Sequence, residues 1–138
     1  MEEQLIKAAM HARMHAYAPY SGFKVGAAIL TYNDIIVEGC NVENASYGAT
    51  NCAERTAIFK AISEGHRSFQ MIAIVGGDEK EKNKLSDYAY PCGICRQVMR
   101  EFCDPKTFRV IVARSTDDYR VHTLEELLPE SFGPEHLR

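Results

Sequence analysis

Apolar residues recur along the chain in two periods, and the alternation of those periods predicts the fold. From Glu2 to Tyr17, Leu5, Ala8, Ala9, Ala12 and Ala16 fall at helical spacing. The chain therefore opens on an amphipathic helix, ended by Pro19 and the Tyr20-Ser21-Gly22 turn. Phe23 to Thr31 (FKVGAAILT) is apolar with only partial alternation, as expected of a strand buried on both faces. A turn at Asn33-Asp34 leads into Ile35 to Val42, read as a second strand antiparallel to the first.

After the small, polar loop Asn44 to Asn51 (NASYGATN), a helical period resumes at Cys52 with Ala53, Ala57, Ile58, Ala61 and Ile62, and Gly65 stops it. Phe69 to Val75 reads as a third strand, closed by Gly76-Gly77. The charged run Asp78 to Asp87 reads as a solvated loop. A helix over Cys92 to Cys103 carries Ile94, Cys95, Val98, Met99 and Phe102 on one face, and Phe108 to Ala113 gives a fourth strand. A weaker fifth strand spans Tyr119 to His122. Thr123 with Glu126 then makes a capping box for a short helix that Pro129 closes, before the tail Ser131-Phe132-Gly133-Pro134. The order is helix, two strands, helix, strand, helix, strand, strand, helix. It predicts a three-layer α/β/α domain with helices on both faces of a five-stranded mixed sheet. No linker, repeat or low-complexity stretch divides the chain, so residues 1–138 are expected to form one domain.

Composition then narrows the partners. Over 138 residues, 46% hydrophobic and 25% charged residues are those of an ordinary globular protein. The net charge of −3 gives no polyanion-binding footprint, so a small-molecule substrate is expected and nucleic acid is not. No run of about 18 apolar residues exists, so no membrane contact is expected. Glu2 and Glu3 stand where a secretory signal carries positive charge, which points to the cytoplasm. In that reducing compartment, five cysteines spaced as one C-x-x-C and single outliers favour metal over disulfides.

Cys92 and Cys95 sit three apart at a helix start, so their sulfurs share one face. Helix N-termini stabilise thiolate, and Pro91 suits a helix start. Cys52 opens the other helix in the same way. Three thiolates on one zinc ion leave the fourth tetrahedral position open, as in catalytic sites, and a water there would be acidified. Glu54, two residues past Cys52, is placed to hold a proton beside that water. Three thiolates also leave excess negative charge; Arg55 and Arg96 are placed to donate hydrogen bonds to the sulfurs, Arg55 as the main donor. A C-x-x-C pair alone would fit a redox pair or half of a structural zinc ribbon equally. A ribbon wants a fourth ligand, and the spare thiols Cys40 and Cys103 suit buried packing better. His11 and His15, one helical turn apart, read as an exposed or packed pair.

At these residues the sequence resembles the zinc-dependent cytidine deaminases of the small homotetrameric type. Five blocks in order carry the resemblance: AYAPYSGFKVGAA, GCNVENASYG, NCAERTA, PCGICRQV and ELLPESFGP. The resemblance implies one zinc per subunit on Cys52, Cys92 and Cys95, with Glu54 carrying a proton from the zinc-bound water to the pyrimidine N3 and then to the leaving amine. Hydroxide attack at C4 would convert cytidine and 2′-deoxycytidine to uridine and 2′-deoxyuridine plus ammonia, a pyrimidine-salvage reaction. It also implies that Asn41 and Glu43 hold the ribose, with both side chains on one face of a strand. Phe23 would contact the base, and the Ala53 amide would donate to its O2. Tyr47 and Phe132 would reach a neighbouring subunit's pocket, so that a homotetramer shares its active sites. Tyr90 departs from the serine common before the P-C-G-x-C block. A deaminase of a related nucleoside such as blasticidin S, and a non-catalytic structural zinc module, are the competing readings. The first is disfavoured by the intact N-x-E block and F-G-P tail, the second by the presence of Glu54.

Overall fold

A computed structural model describes residues 1–137. At its centre Phe23–Thr31 (β1) lies between Ile36–Cys40 (β2) and Phe69–Asp78 (β3), antiparallel to both. Arg109–Ser115 (β4) runs parallel to β3, and Asp118–Thr123 (β5) returns antiparallel at the far edge. The resulting order β2-β1-β3-β4-β5 is the expected five-stranded mixed sheet. The expected β1–β2 hairpin turns at Asp34, whose φ of 62° is a left-handed conformation that aspartate tolerates.

Because successive side chains of a strand point to opposite faces, β1 serves two cores at once. Ala28 and Leu30 pack with Leu5, Ile6 and Ala9 of the helix Glu2–Arg13 (α1) on one face. Ala27 and Ile29 pack on the other with Ala57 and Ile58 of Ala53–Ser63 (α2) and Cys95 and Met99 of Gly93–Phe102 (α3). Helices thus cover both faces, giving the three layers. The short helix Leu124–Leu127 (α4) starts on the Thr123–Glu126 capping box read from the sequence.

Glycines set how closely the layers approach. A Cβ at Gly26 would lie 2.0 Å from Ala9 O, and one at Gly39 2.4 Å from Ala57 N. Hence α1 and α2 rest backbone-to-backbone on β1 and β2.

Three boundaries differ from expectation. α1 ends at Arg13 rather than Tyr17, because the Arg13 guanidinium turns inward onto the carbonyls of Lys24, Gly77, Asp78 and Glu81. Tyr17 leaves the helix to bridge Val42. β3 runs through Gly76 and Gly77 to Asp78, where those glycines pair with Val25 and Lys24. The glycines serve close approach: a Cβ at Gly76 would meet Phe23 Cε2 at 3.0 Å and Ala89 Cβ at 2.9 Å. β2 stops at Cys40, and Val42 continues only as a bridge between Tyr17 and Asn51. The charged segment from Asp78 is pinned by Arg13 and by Leu85, which is fully buried in the α1-side core.

Candidate active site

Cys52 is the N-cap of α2, Cys92 the N-cap of α3, and Cys95 lies in the first turn of α3. The two helix starts bring Cys52 Sγ to 3.8 Å from Cys92 Sγ, with all three sulfurs within 4.8 Å of one another. Gly39 makes this possible, since a Cβ there would lie 2.8 Å from Ala53 O and lift the head of α2 off the sheet.

The geometry suits one ion. Sulfurs bound tetrahedrally at about 2.3 Å stand about 3.8 Å apart, the separation of Cys52 and Cys92. The donor set agrees with a thiophilic, borderline-soft ion such as zinc, and three ligands leave the fourth position for water or substrate. The electrostatics favour thiolate at Cys52. A hydrogen bond shared with Cys95, and then the Arg55 guanidinium, hold its thiol well below the ordinary cysteine range. Cys95, the proton-sharing partner and fully buried, is shifted upward by that bond and by burial.

Arg55 NH2 donates to Cys52 Sγ at 3.3 Å, as the sequence suggested. Its Nε is buried without a hydrogen-bond partner among the described residues. Arg96 does not share the role expected of it. Its Nε donates to Pro91 O at 2.7 Å and its NH1 to Leu127 O at 2.6 Å, so it braces the approach to Cys92 and leaves the sulfurs alone.

Glu54 is 4% exposed, in the first turn of α2. Burial, with the charge of Cys52 adding to it, pushes its carboxyl up to about 7. A group poised there can both accept and give a proton near neutrality. Ala53 precedes it, and its amide is among the helix-start donors that no intrahelical carbonyl can satisfy.

A cavity of about 180 Å³ gathers Phe23, Asn41, Cys52, Ala53, Glu54 and Cys92. Asn41 does so with its amide engaged: its Oδ1 accepts from Val25 N and its Nδ2 donates to Phe23 O, both at 2.9 Å. Glu43 stands apart, in an adjoining hollow of about 430 Å³ with Tyr20, Ser21, Asn44, Tyr47 and Thr50. Its carboxylate accepts from the amides of Tyr20 and Ser21 and from the Ser21 hydroxyl, which holds it below the usual glutamate range. The single strand face expected for Asn41 and Glu43 is therefore absent, because β2 ends before both. Thr50 lines both hollows. Tyr47 and Phe132 are exposed, and Phe132 lines neither hollow and plugs no core of its own.

The cavity also takes Val25, Thr50, Ile74, Ala89 and Tyr90 as walls. Of these only Tyr90 was singled out in the sequence; the others carry no local signal, since chain crossing alone brings them to the sulfurs. Tyr90 OH pairs with His122 Nε2 of β5 at 3.1 Å, so its side chain is drawn toward the sheet edge. The spare thiols behave as packing groups. Cys103 is buried with its thiol pushed up to about 12 by burial, and Cys40 is half-buried at the end of β2. His11 is exposed, pairs with Glu38 at 2.8 Å and meets the ring of His15 edge-on.

Three cysteine sulfurs at two converging helix starts, with a buried carboxyl beside them on an α/β/α sheet, define the class of zinc-dependent hydrolases. The sequence model described as "Cytidine and deoxycytidylate deaminase zinc-binding region" matches residues 1–112. The cytidine deaminase of Halalkalibacterium halodurans is 47% identical over 98% of this chain and 96% of its own length. That of Sporosarcina psychrophila is 45% identical over 98% and 93%. A crystal structure of cytidine deaminase from Burkholderia pseudomallei superposes with a TM-score of 0.85 at 48% identity, covering 96% of this chain and 99% of that one. The chain belongs to the cytidine and deoxycytidylate deaminase family.

Proposed function

We propose that this protein hydrolyses cytidine and 2′-deoxycytidine to uridine and 2′-deoxyuridine, releasing ammonia. The observation that carries the reading is Glu54, a buried carboxyl held near neutral pH beside three clustered sulfurs. Atoms balance with one water: its oxygen replaces the amino nitrogen at C4, and its protons leave with ammonia or stay on the ring. A zinc ion held by Cys52, Cys92 and Cys95 supplies the electrophilic centre that acidifies this water. Glu54 takes one proton from the water and delivers it to N3, then takes the second from the new C4 hydroxyl and gives it to the departing amine. Its environment suits it to both directions, because a carboxyl near 7 is half-protonated at neutral pH. Arg55 offsets the negative charge of the sulfurs through its hydrogen bond to Cys52.

The substrate contacts follow from the hollows. The Ala53 amide donates to the pyrimidine O2, and Phe23 walls the base. Asn41 and Glu43 hold the ribose across the two hollows that share Thr50, the acceptor-only carboxylate accepting a hydrogen bond from a hydroxyl. Tyr47 at the rim of the Glu43 hollow and Phe132 in the tail are both exposed, which supports a homotetramer whose clefts are completed by neighbours. Residues 1–138 act as one domain, and the thiol ligands suit the reducing cytoplasm. Among the described residues no helix is long and apolar enough to cross a membrane. A related aminopyrimidine nucleoside such as blasticidin S remains the second substrate to assay.

The test is direct. Zinc-loaded protein mixed with cytidine should shift the ultraviolet spectrum to that of uridine, and a chelator should abolish the change. Absence of conversion by folded, zinc-loaded protein would overturn the proposal.

A further inference from the structure

Phe132 is exposed, yet the backbone that carries it is fixed from both sides. Gln97 Nε2 of α3 donates to Phe132 O at 3.1 Å. Three residues along the same helix, Arg100 donates from Nε to Ser131 Oγ at 2.9 Å, and its two terminal nitrogens engage the Glu135 carboxylate. Gly133 lies against this guanidinium so closely that a Cβ there would stand 2.2 Å from Arg100 NH1. Gly133 N then donates to His136 Nδ1 at 3.0 Å, which folds the end of the chain over the clamp.

The arrangement is costly to build. Arg100 is 7% exposed, so a guanidinium has been drawn largely out of water to hold a surface tail. Ordering that tail also costs chain entropy. Neither cost is offset by full burial of Phe132, which stays 57% exposed and joins neither core. A stiffly held, exposed aromatic is profitable only where the ring meets another molecule, because a pre-ordered segment has less freedom to lose on contact.

We infer that Arg100 is a positioning residue for the deamination: clamped between Ser131 and Glu135, it aims Phe132 into the nucleoside cleft of a second copy of this chain. The inference rests on the reading that Phe132 completes a neighbour's cleft, and it adds the device that sets its direction. Loosening the clamp leaves Glu54 and the sulfurs untouched. The loss therefore falls on nucleoside binding, as a raised KM at nearly constant kcat.

Because Arg100 is buried, Glu135→Gln and Gly133→Ala carry the test: Glu135 meets the clamp from its exposed side, and Gly133 packs directly against the guanidinium. With zinc-saturated protein, Phe132→Ala should raise the KM for cytidine by about tenfold, and the two clamp variants by about fivefold, each keeping kcat within about twofold. Co-expression with Glu54→Gln subunits separates aiming from a local defect. Those subunits cannot turn over but carry a sound tail, so mixed assemblies should recover a component with parental KM, whether the partner bears Phe132→Ala or Glu135→Gln. If Phe132→Ala leaves KM unchanged, the shared-cleft reading itself is wrong. If Phe132→Ala raises KM and is rescued by mixing, while both clamp variants keep the parental KM or resist rescue, that reading stands and the role of Arg100 is refuted.

Discussion

Gly39→Ala tests whether the catalytic cluster depends on backbone contact between α2 and β2. The added Cβ would stand 2.4 Å from Ala57 N and 2.8 Å from Ala53 O, where ordinary contact begins at 3.4 Å. Both opposing atoms are helix backbone, so no side chain can rotate away. The helix must retreat by roughly 1 Å, and overpacking of that kind costs about 1–3 kcal/mol. For a chain of this length that corresponds to a melting temperature lower by about 3–10 °C. The same movement carries Cys52 and Glu54 away from Cys92 and Cys95, which α3 holds separately. A displacement of about 1 Å in a reacting geometry lowers turnover by about 100-fold. Calorimetric melting and cytidine turnover of zinc-reconstituted protein give both numbers. Gly48→Ala, where no atom lies within 4 Å of the added Cβ, should melt like the parent. If Gly39→Ala also melts and turns over like the parent, the close approach of α2 does not position the site.

Other outcomes follow from single contacts. Glu54→Gln preserves shape and should keep one zinc per subunit while losing about 10²–10⁴-fold in kcat, read by metal analysis and the ultraviolet assay. Arg55→Gln removes the donor to Cys52 and should lower zinc retention under chelator challenge or turnover; parental values for both would remove Arg55 from the site's chemistry. The Cys103 thiol, pushed up to about 12, should resist iodoacetamide at pH 8 in native, zinc-loaded protein and react only on unfolding, as peptide mapping would report. The Glu135 carboxyl is lowered to about 2 by Arg100, below its ordinary value of 4.5. A depressed acid stabilises the fold above the unfolded value and loses that contribution as pH falls toward the folded one. The urea midpoint of the parent should thus exceed that of Glu135→Gln at pH 7, and the gap should close between about pH 4.5 and pH 2.

How far the site could be read in advance depended on whether its signals were local. C-x-x-C at a helix start places two sulfurs on one face by helix geometry alone, and Cys52-Ala53-Glu54 repeats the device on a second helix. The side chain of Arg55 reaches back to Cys52 over a single turn, so that contact was legible too. Arg96 was misread because its partners, Pro91 O and Leu127 O, include an oxygen 31 residues away that no spacing reveals. Glu43 and Asn41 were separated for the same reason, since the break after Cys40 depends on Tyr17 and Asn51 pairing with Val42. Gly76 and Gly77 look like a strand end in sequence, yet they extend β3, because the pressure of Phe23 and Ala89 is tertiary.

The sequence by itself determined the order of helices and strands, the sheet's mixed character and the placement of three thiols and a carboxyl at two helix starts. Those follow from period, capping and the chemistry of residues within one or two turns. Only the tertiary structure decided how deep α2 sits on Gly39, which walls close around Glu54 and raise its proton affinity, and how Arg100 grips the tail beneath Phe132. Each of these is a contact between segments far apart in the chain, where steric fit and burial, rather than local propensity, set the outcome.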